Sequence, residues 1–205
     1  MKINKKFAVL ASDKAIKKTA LALNRNGIET FVVDSGKEAK KKILELIPHG
    51  AEVMNMTSKT LETINAVSAV LESGRYQAVR HKLAVLDKQT QKSEMKKLRS
   101  APAWAIGSVH AVTFDGQVVA ASESGSQFGA YAYGAGRVVW VVGAQKIVKN
   151  FNQAIKRVYE YSLPLENQRV GELYGEESAV AKLLVINQEK PGRIVMIIVK
   201  EKLGF

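Results

Sequence analysis

Two spacings of apolar residues alternate along this chain, and their alternation is the first structural signal. Short runs rich in β-branched residues fall at Ile28–Val33, Ala51–Met56, Val138–Val142, Ala181–Ile186 and Ile194–Val199, the lengths and compositions of strands. Between them the apolar positions recur at helical spacing. Ile16, Ala20 and Leu23 predict a helix over residues 6–25, closed by Gly27 as a left-handed cap. Ser35-Gly36-Lys37-Glu38 spells a capping box, and the helix it opens buries Ala39, Ile43 and Leu46/Ile47 while exposing Lys40, Lys41 and Lys42. Pro48-His49-Gly50 ends it, with His49 in a solvated turn. Leu61, Ile64, Val67 and Leu71 predict one further helix ending at Gly74, and residues 75–101 read as mostly helical and polar. Asn150 followed by Gln153 predicts an N-cap for a helix carrying Ala154, Ile155, Val158 and Tyr159, punctuated by Pro164.

Strands alternating with helices of this length argue an α/β domain with a mostly parallel sheet and short antiparallel additions. Val138–Val142 is apolar at every position, the pattern of a strand covered on both faces, and is expected at the centre. Asp115-Gly116, between His110–Phe114 and Gln117–Ala121, predicts a two-residue hairpin. The 205 residues suit one domain, 1–205, with no internal repeat or low-complexity linker to divide it. Residues 1–100 form a supporting half and residues 101–205 the core with the candidate site.

Composition narrows the function. The apolar fraction of 46% and charged fraction of 24% are those of a globular protein. No apolar run approaches the ~20 residues needed to cross a bilayer. The N-terminal apolar stretch is interrupted by Asp13 and Lys14, too soon for a secretory segment, so a cytoplasmic protein is expected. The absence of cysteine excludes disulfides, thiolate nucleophiles and an iron–sulfur cluster held by this chain's own thiolates. The net charge of +12 is uneven: residues 1–100 carry 20 Lys and Arg against 10 Asp and Glu, residues 101–205 carry 11 against 9. A basic half attracts nucleic acid, but a Lys-rich solvated surface explains the same charge, and no nucleic-acid-binding motif accompanies it. Nucleic acid is not the expected partner. Self-association is left open.

Candidate chemistry concentrates between Trp104 and Phe151. Gly107-Ser108, the Ser122–Ser126 loop and Gly143–Lys146 each follow a predicted strand, and open α/β sheets gather ligands outside such ends. Neither a G-x-G-x-x-G fingerprint nor a phosphate loop is present, so no nucleotide cofactor is expected. The three histidines are scattered, which predicts no metal site, and Ser122-Glu123-Ser124-Gly125-Ser126 does not spell a nucleophile elbow. What the residues offer is an anion site: Ser108, His110, Ser124, Gly125, Ser126 and Lys146 supply hydroxyls, glycine-exposed amides, an imidazole and an ammonium. A Ser/Gly connector beside a solvated lysine accounts for the same residues. Thr57-Ser58-Lys59-Thr60, following another strand, reads either as an N-cap or as a second anion-binding element. Tyr131 and Tyr133 are expected to pack on the sheet edge.

The block GSVHAVTFDGQVVAASESGSQFGAYAYGAGRVVWVVGAQKIV, followed by YEYSLPLEN, resembles the LUD-domain (lactate-utilisation) family. The likeness extends upstream through AEVMNMTSKTLETINAV and RYQAVRHKLAVLDKQTQ. It implies a NagB/RpiA/CoA-transferase-like α/β fold and a link to 2-hydroxy-acid utilisation, in which oxidoreductase proteins are the implied partners. It also draws attention to Glu123. Class I CoA-transferases of that fold form an acyl-CoA anhydride on a glutamate often set in Ser-Glu-Asn-Gly, and Ser122-Glu123-Ser124-Gly125 is similar but lacks the Asn. Glu123 is thus one candidate for catalysis, against the reading of an exposed loop glutamate. His110, the only histidine of the central block, is a candidate general base or donor by its residue type, against a histidine that hydrogen-bonds within a turn, and a non-enzymatic interaction subunit is the alternative.

Overall fold

The computed structural model describes residues 2–205. Ten strands follow in chain order: β1 (Glu29–Val33), β2 (Glu52–Asn55), β3 (Gln77–Ala78), β4 (Trp104–Gly107), β5 (Ala111–Thr113), β6 (Val118–Ser122), β7 (Arg137–Gly143), β8 (Ile147–Val148), β9 (Lys182–Ile186) and β10 (Ile194–Val199). They form two sheets. One has six strands in the order β1-β10-β7-β4-β2-β3, every pairing parallel, and the other four in the order β8-β5-β6-β9. Eight α-helical segments accompany them: α1 (Asp13–Arg25), α2 (Gly36–Leu46), α3 (Lys59–Thr63), α4 (Ala66–Leu71), α5 (Val79–Ala84), α6 (Lys92–Ser100), α7 (Phe151–Arg157) and α8 (Leu163–Tyr174).

Strand β7 lies inside the parallel sheet, with Val139 paired to Val195 on one side and Ile106 on the other. Its continuous apolar run is the cause: each of Val138–Val142 is 0% exposed, so both faces need cover. Val138, Trp140 and Val142 face a core shared with Ile16 and Leu23 of α1, Val79 and Leu83 of α5, and Val112, Val118 and Ala120 of the second sheet. Val139 and Val141 face Ala39 and Ile43 of α2, Leu61 of α3 and Val70 of α4. Burying side chains of this kind stabilises by about 1.5–3 kcal/mol each. The opposite face of the second sheet, through Ala111, Val119 and Ala121, packs on Ala154, Val158 and Tyr161. The layers therefore run from α2–α4 through the parallel sheet to the small sheet, with α1 and α5 beside it, and then to α7.

Several expected elements take a different form. The helix expected over 6–25 begins at Asp13, because Ser12 accepts the Ala15 amide as its cap; Lys5–Ala8 is a separate 3-10 turn. Asn65, in the left-handed region at φ 53°, divides the single helix expected after Thr60 into α3 and α4. The hairpin at Asp115-Gly116 forms, but with Phe114, Asp115 and Gly116 between its paired residues Thr113 and Gln117. Its turn is closed by Gly116 at φ 81°, where the bulge needs positive φ. The antiparallel additions are a sheet of their own, so β9 and β10, adjacent in sequence, lie in different sheets.

Pro164 does not end the helix that Asn150 caps. The chain passes from α7 through a π-helical turn, Val158–Ser162, directly into α8. Proline has no N–H, so the carbonyl four residues back, on Glu160, loses its helical partner. The Asn4 N–H donates to that oxygen at 2.9 Å. The wider π turn and this outside donor let the helix continue. Among the described residues, no helix is long and apolar enough to cross a membrane.

Candidate functional site

A cleft of about 570 Å³ opens where four strand ends meet. From the parallel sheet come Thr57–Thr60 after β2, Ser108–His110 after β4, and Lys146 in the 3-10 turn Ala144–Lys146 after β7. From the small sheet comes the loop after β6, with Ser122, Glu123, Ser124, Ser126 and Gln127 on the wall. The π turn and α8 close the far side with Ser162, Glu166 and Arg169. The sequence placed three of these strand ends on one sheet edge. The structure brings them together, but across two sheets.

Lys146 is the centre. Far from a solvated lysine, it is 2% exposed. Its Nζ donates to Thr60 Oγ1 at 3.0 Å, Ser108 Oγ at 3.0 Å and the Val109 carbonyl at 3.1 Å. Both hydroxyls commit their own hydrogens elsewhere, Thr60 to the Leu203 carbonyl at 3.2 Å and Ser108 to the Val141 carbonyl at 2.7 Å. Three pure acceptors around one nitrogen match the three hydrogens of an ammonium, whereas a neutral amine would set its lone pair against one of them. Burial, and then the charge of Arg157, push the Lys146 pKa well down, and the three acceptors work against both. Among the described residues no carboxylate pairs with it.

Arg157 lies behind this group, fully buried. It donates to the Gln145 carbonyl at 3.3 Å, to the His110 carbonyl and to Ser162 Oγ at 3.0 Å, all neutral acceptors. Its Nη2 has no partner among the described residues. Burial holds its pKa down to about 10. The other two cations on the cleft wall are paired: Lys59 with Glu62 at 3.2 Å, and Arg169 in a two-pronged contact with Glu166 at 2.8 and 2.6 Å.

His110 is partly buried, and its Nδ1 accepts the Ala121 amide at 3.0 Å. That bond requires an unprotonated Nδ1 and leaves the hydrogen on Nε2, so the ring is a donor. Burial, followed by the charges of Lys146 and Arg157, lowers its pKa to about 3. At neutral pH it is uncharged.

Gly125 does not line the cleft, unlike the other five expected ligand-binding residues. Its amide, expected to be free for an anion, donates to Ser122 Oγ at 2.9 Å, and the Ser126 amide donates to Ser124 Oγ at 3.3 Å. The loop spends these amides on itself. Gly125 is there for its φ of 77°. Glu123 stands exposed at the rim, its carboxylate accepting from Ser178 Oγ at 3.2 Å while its carbonyl accepts from Lys182 Nζ at 3.0 Å. Ser58 caps α3 through the Leu61 amide at 3.4 Å, as its composition suggested, while Thr60 faces Lys146.

The two tyrosines part company. Tyr133 is 89% exposed, whereas Tyr131 is buried in the core rather than on a sheet edge. Its hydroxyl donates to the Ser108 carbonyl at 3.3 Å and its ring meets Trp140 edge-on at 5.2 Å. Sequence reading missed Ser162, Glu166 and Arg169 as cleft residues, because a π turn shifts the helical register that spacing arguments assume.

A parallel-sheet α/β protein with a polar cleft at its strand ends is the class these features define. The family model of the LUD domain matches residues 16–200. The chain belongs to the LUD-domain family. It is similar in fold to the crystal structure of a DUF162 family protein from Deinococcus radiodurans, with a TM-score of 0.57 at 10% identity, over 93% of this chain and 99% of that one. None of the curated proteins matches the sequence.

Proposed function

We propose that the cleft binds a small organic anion, with its carboxylate or phosphate above Lys146, and that it serves the utilisation of lactate or a related 2-hydroxy acid. The observation that carries the binding reading is the buried Lys146 Nζ, set among three acceptors that suit an ammonium and with no carboxylate partner among the described residues. Charges left unpaired away from water are costly, and an anion entering the cleft would offset that cost. His110 Nε2–H and the hydroxyls of Ser58, Ser124 and Ser126 would orient it. The link to 2-hydroxy acids is supported by family membership alone. A chain without cysteine cannot hold an iron–sulfur cluster on its own thiolates, so electrons would pass to a partner protein or a bound cofactor.

A thermal-shift titration with lactate, glycerate and inorganic phosphate tests this. A ligand that binds only the folded state at a hundred times its Kd stabilises by ~2.7 kcal/mol. Stabilisation by at least one of these anions is expected, and Lys146→Met should abolish it. Equal stabilisation of the variant, or none of the native chain, overturns the reading.

A further inference from the structure

Beyond the cleft wall, on the basic half of the chain, two arginines face a small hollow. Arg80 of α5 is half-buried and held in place: its Nε donates to the Asn55 carbonyl at 3.0 Å and its Nη2 to Thr57 Oγ1 at 3.0 Å. Arg99 of α6 makes no hydrogen bond or ion pair among the described residues. Both line a hollow of about 80 Å³ that has Met54 and Met56 in its lining and shares Thr57, Ser126 and Gln127 with the main cleft. Among the described residues no carboxylate lines it.

We propose that Arg80 and Arg99 form a second anion subsite that takes a phosphomonoester group, so that the cleft receives a ligand with two anionic ends. Two guanidinium groups turned to one space repel each other, and an anion between them replaces that repulsion with two attractions. Arg99, after burial, is the cause that lowers the Arg80 pKa, so the two charges do sense each other. A carboxylate presents two oxygens and one charge, enough for one guanidinium fork. A phosphomonoester presents three oxygens and up to two charges, enough for two. The hollow also has the right scale, holding a few water-sized groups and nothing much larger. Arg80 is pre-positioned by Asn55 and Thr57, while Arg99 is free to close on the ligand. Thr57, Ser126 and Gln127, common to both spaces, make the bridge along which the ligand's uncharged middle would lie. The second subsite rests on the anion reading of the main cleft only for the ligand's other end.

Titration with inorganic phosphate, followed by NMR at the arginine Nε–H groups, is the direct test. Saturable shifts of Arg80 and Arg99 are expected, and Arg99→Gln should remove them. That substitution breaks no contact, so the fold is kept. Calorimetry then compares glycerate with 3-phosphoglycerate, which differ by the phosphate. Two charge-assisted contacts should favour the phosphorylated acid by ~tenfold or more, and Arg99→Gln should erase the preference while glycerate binding stays. Lys146→Met should weaken both. Non-saturating shifts like those of surface lysines, or a preference unchanged by Arg99→Gln, overturn the proposal. Saturation at the arginines without any effect of Lys146→Met on glycerate sinks the main-cleft reading instead, and with it the two-ended ligand.

Discussion

The Tyr131 hydroxyl occupies the space a side chain on Gly107 would need: a β-carbon there would lie 1.8 Å from that oxygen and 2.9 Å from the ring carbon bearing it. Gly107 ends β4 one residue before Ser108, and the same hydroxyl donates to the Ser108 carbonyl. Glycine at this point therefore lets a core tyrosine hold the strand end on which two of the three Lys146 acceptors sit.

Gly107→Ala should cost about 1–3 kcal/mol or more, as overpacking of a tight core does. Tyr131→Phe alone should cost about 1 kcal/mol for the lost hydrogen bond. The pair should be less destabilised than the two single changes summed, because removing the hydroxyl relieves the closest clash. Urea unfolding of the four proteins measures the coupling. Strict additivity would mean that the clash is absorbed elsewhere.

The two buried cations should respond differently to neutral replacement. Lys146→Met leaves Thr60 and Ser108 still donating to Leu203 and Val141, so the loss falls on the Val109 carbonyl, left with only the long 3.4 Å contact from Ser108 Oγ, at about 1–3 kcal/mol. Removing a buried charge offsets part of that, and a near-neutral change in Tm is expected. Arg157→Met orphans the Gln145 and His110 carbonyls together and should cost more than ~3 kcal/mol. Thermal unfolding ranks the two.

His110 ties stability to acid. Its folded pKa of about 3 lies below the unfolded value, so between about pH 6.5 and 3 the unfolded chain binds the extra proton. This contribution is full above pH 6.5 and is lost as the pH falls, at up to ~1.4 kcal/mol per pH unit. His110→Gln should flatten that part of the profile. The ring's NMR signals should not titrate between pH 8 and 4 in the native protein.

Glu123 decides whether a carboxylate nucleophile operates. It is exposed at the rim, bonded to Ser178, beside the anion site proposed for the cleft. Glu123→Gln should leave anion binding intact or strengthen it by roughly twofold, the scale of one exposed charge. Loss of binding would give Glu123 a direct role, and trapping of an acyl group on it by hydroxylamine would support acyl transfer.

What the sequence determined by itself is what local spacing encodes. The apolar run Val138–Val142 placed β7 inside the sheet, because a strand with no polar face has to be covered twice. Ser35 and Asn150 announced their helices through caps that act within one turn, and Ser108, His110 and Lys146 were legible as residues following strands. Tertiary structure decided the rest. Lys146 is buried because Thr60, 86 residues away in sequence, and Ser108, 38 away, close over it. Spacing along the chain carries no record of such partners, and desolvation depends on the whole neighbourhood rather than on one residue type. The same holds for Pro164, which the sequence reads as a stop and which Asn4 converts into a passage by supplying the missing donor. Arg80 and Arg99 look like any lysine-rich helix surface until two helices turn them to one hollow; only the packing of those helices distinguishes them from solvated charge.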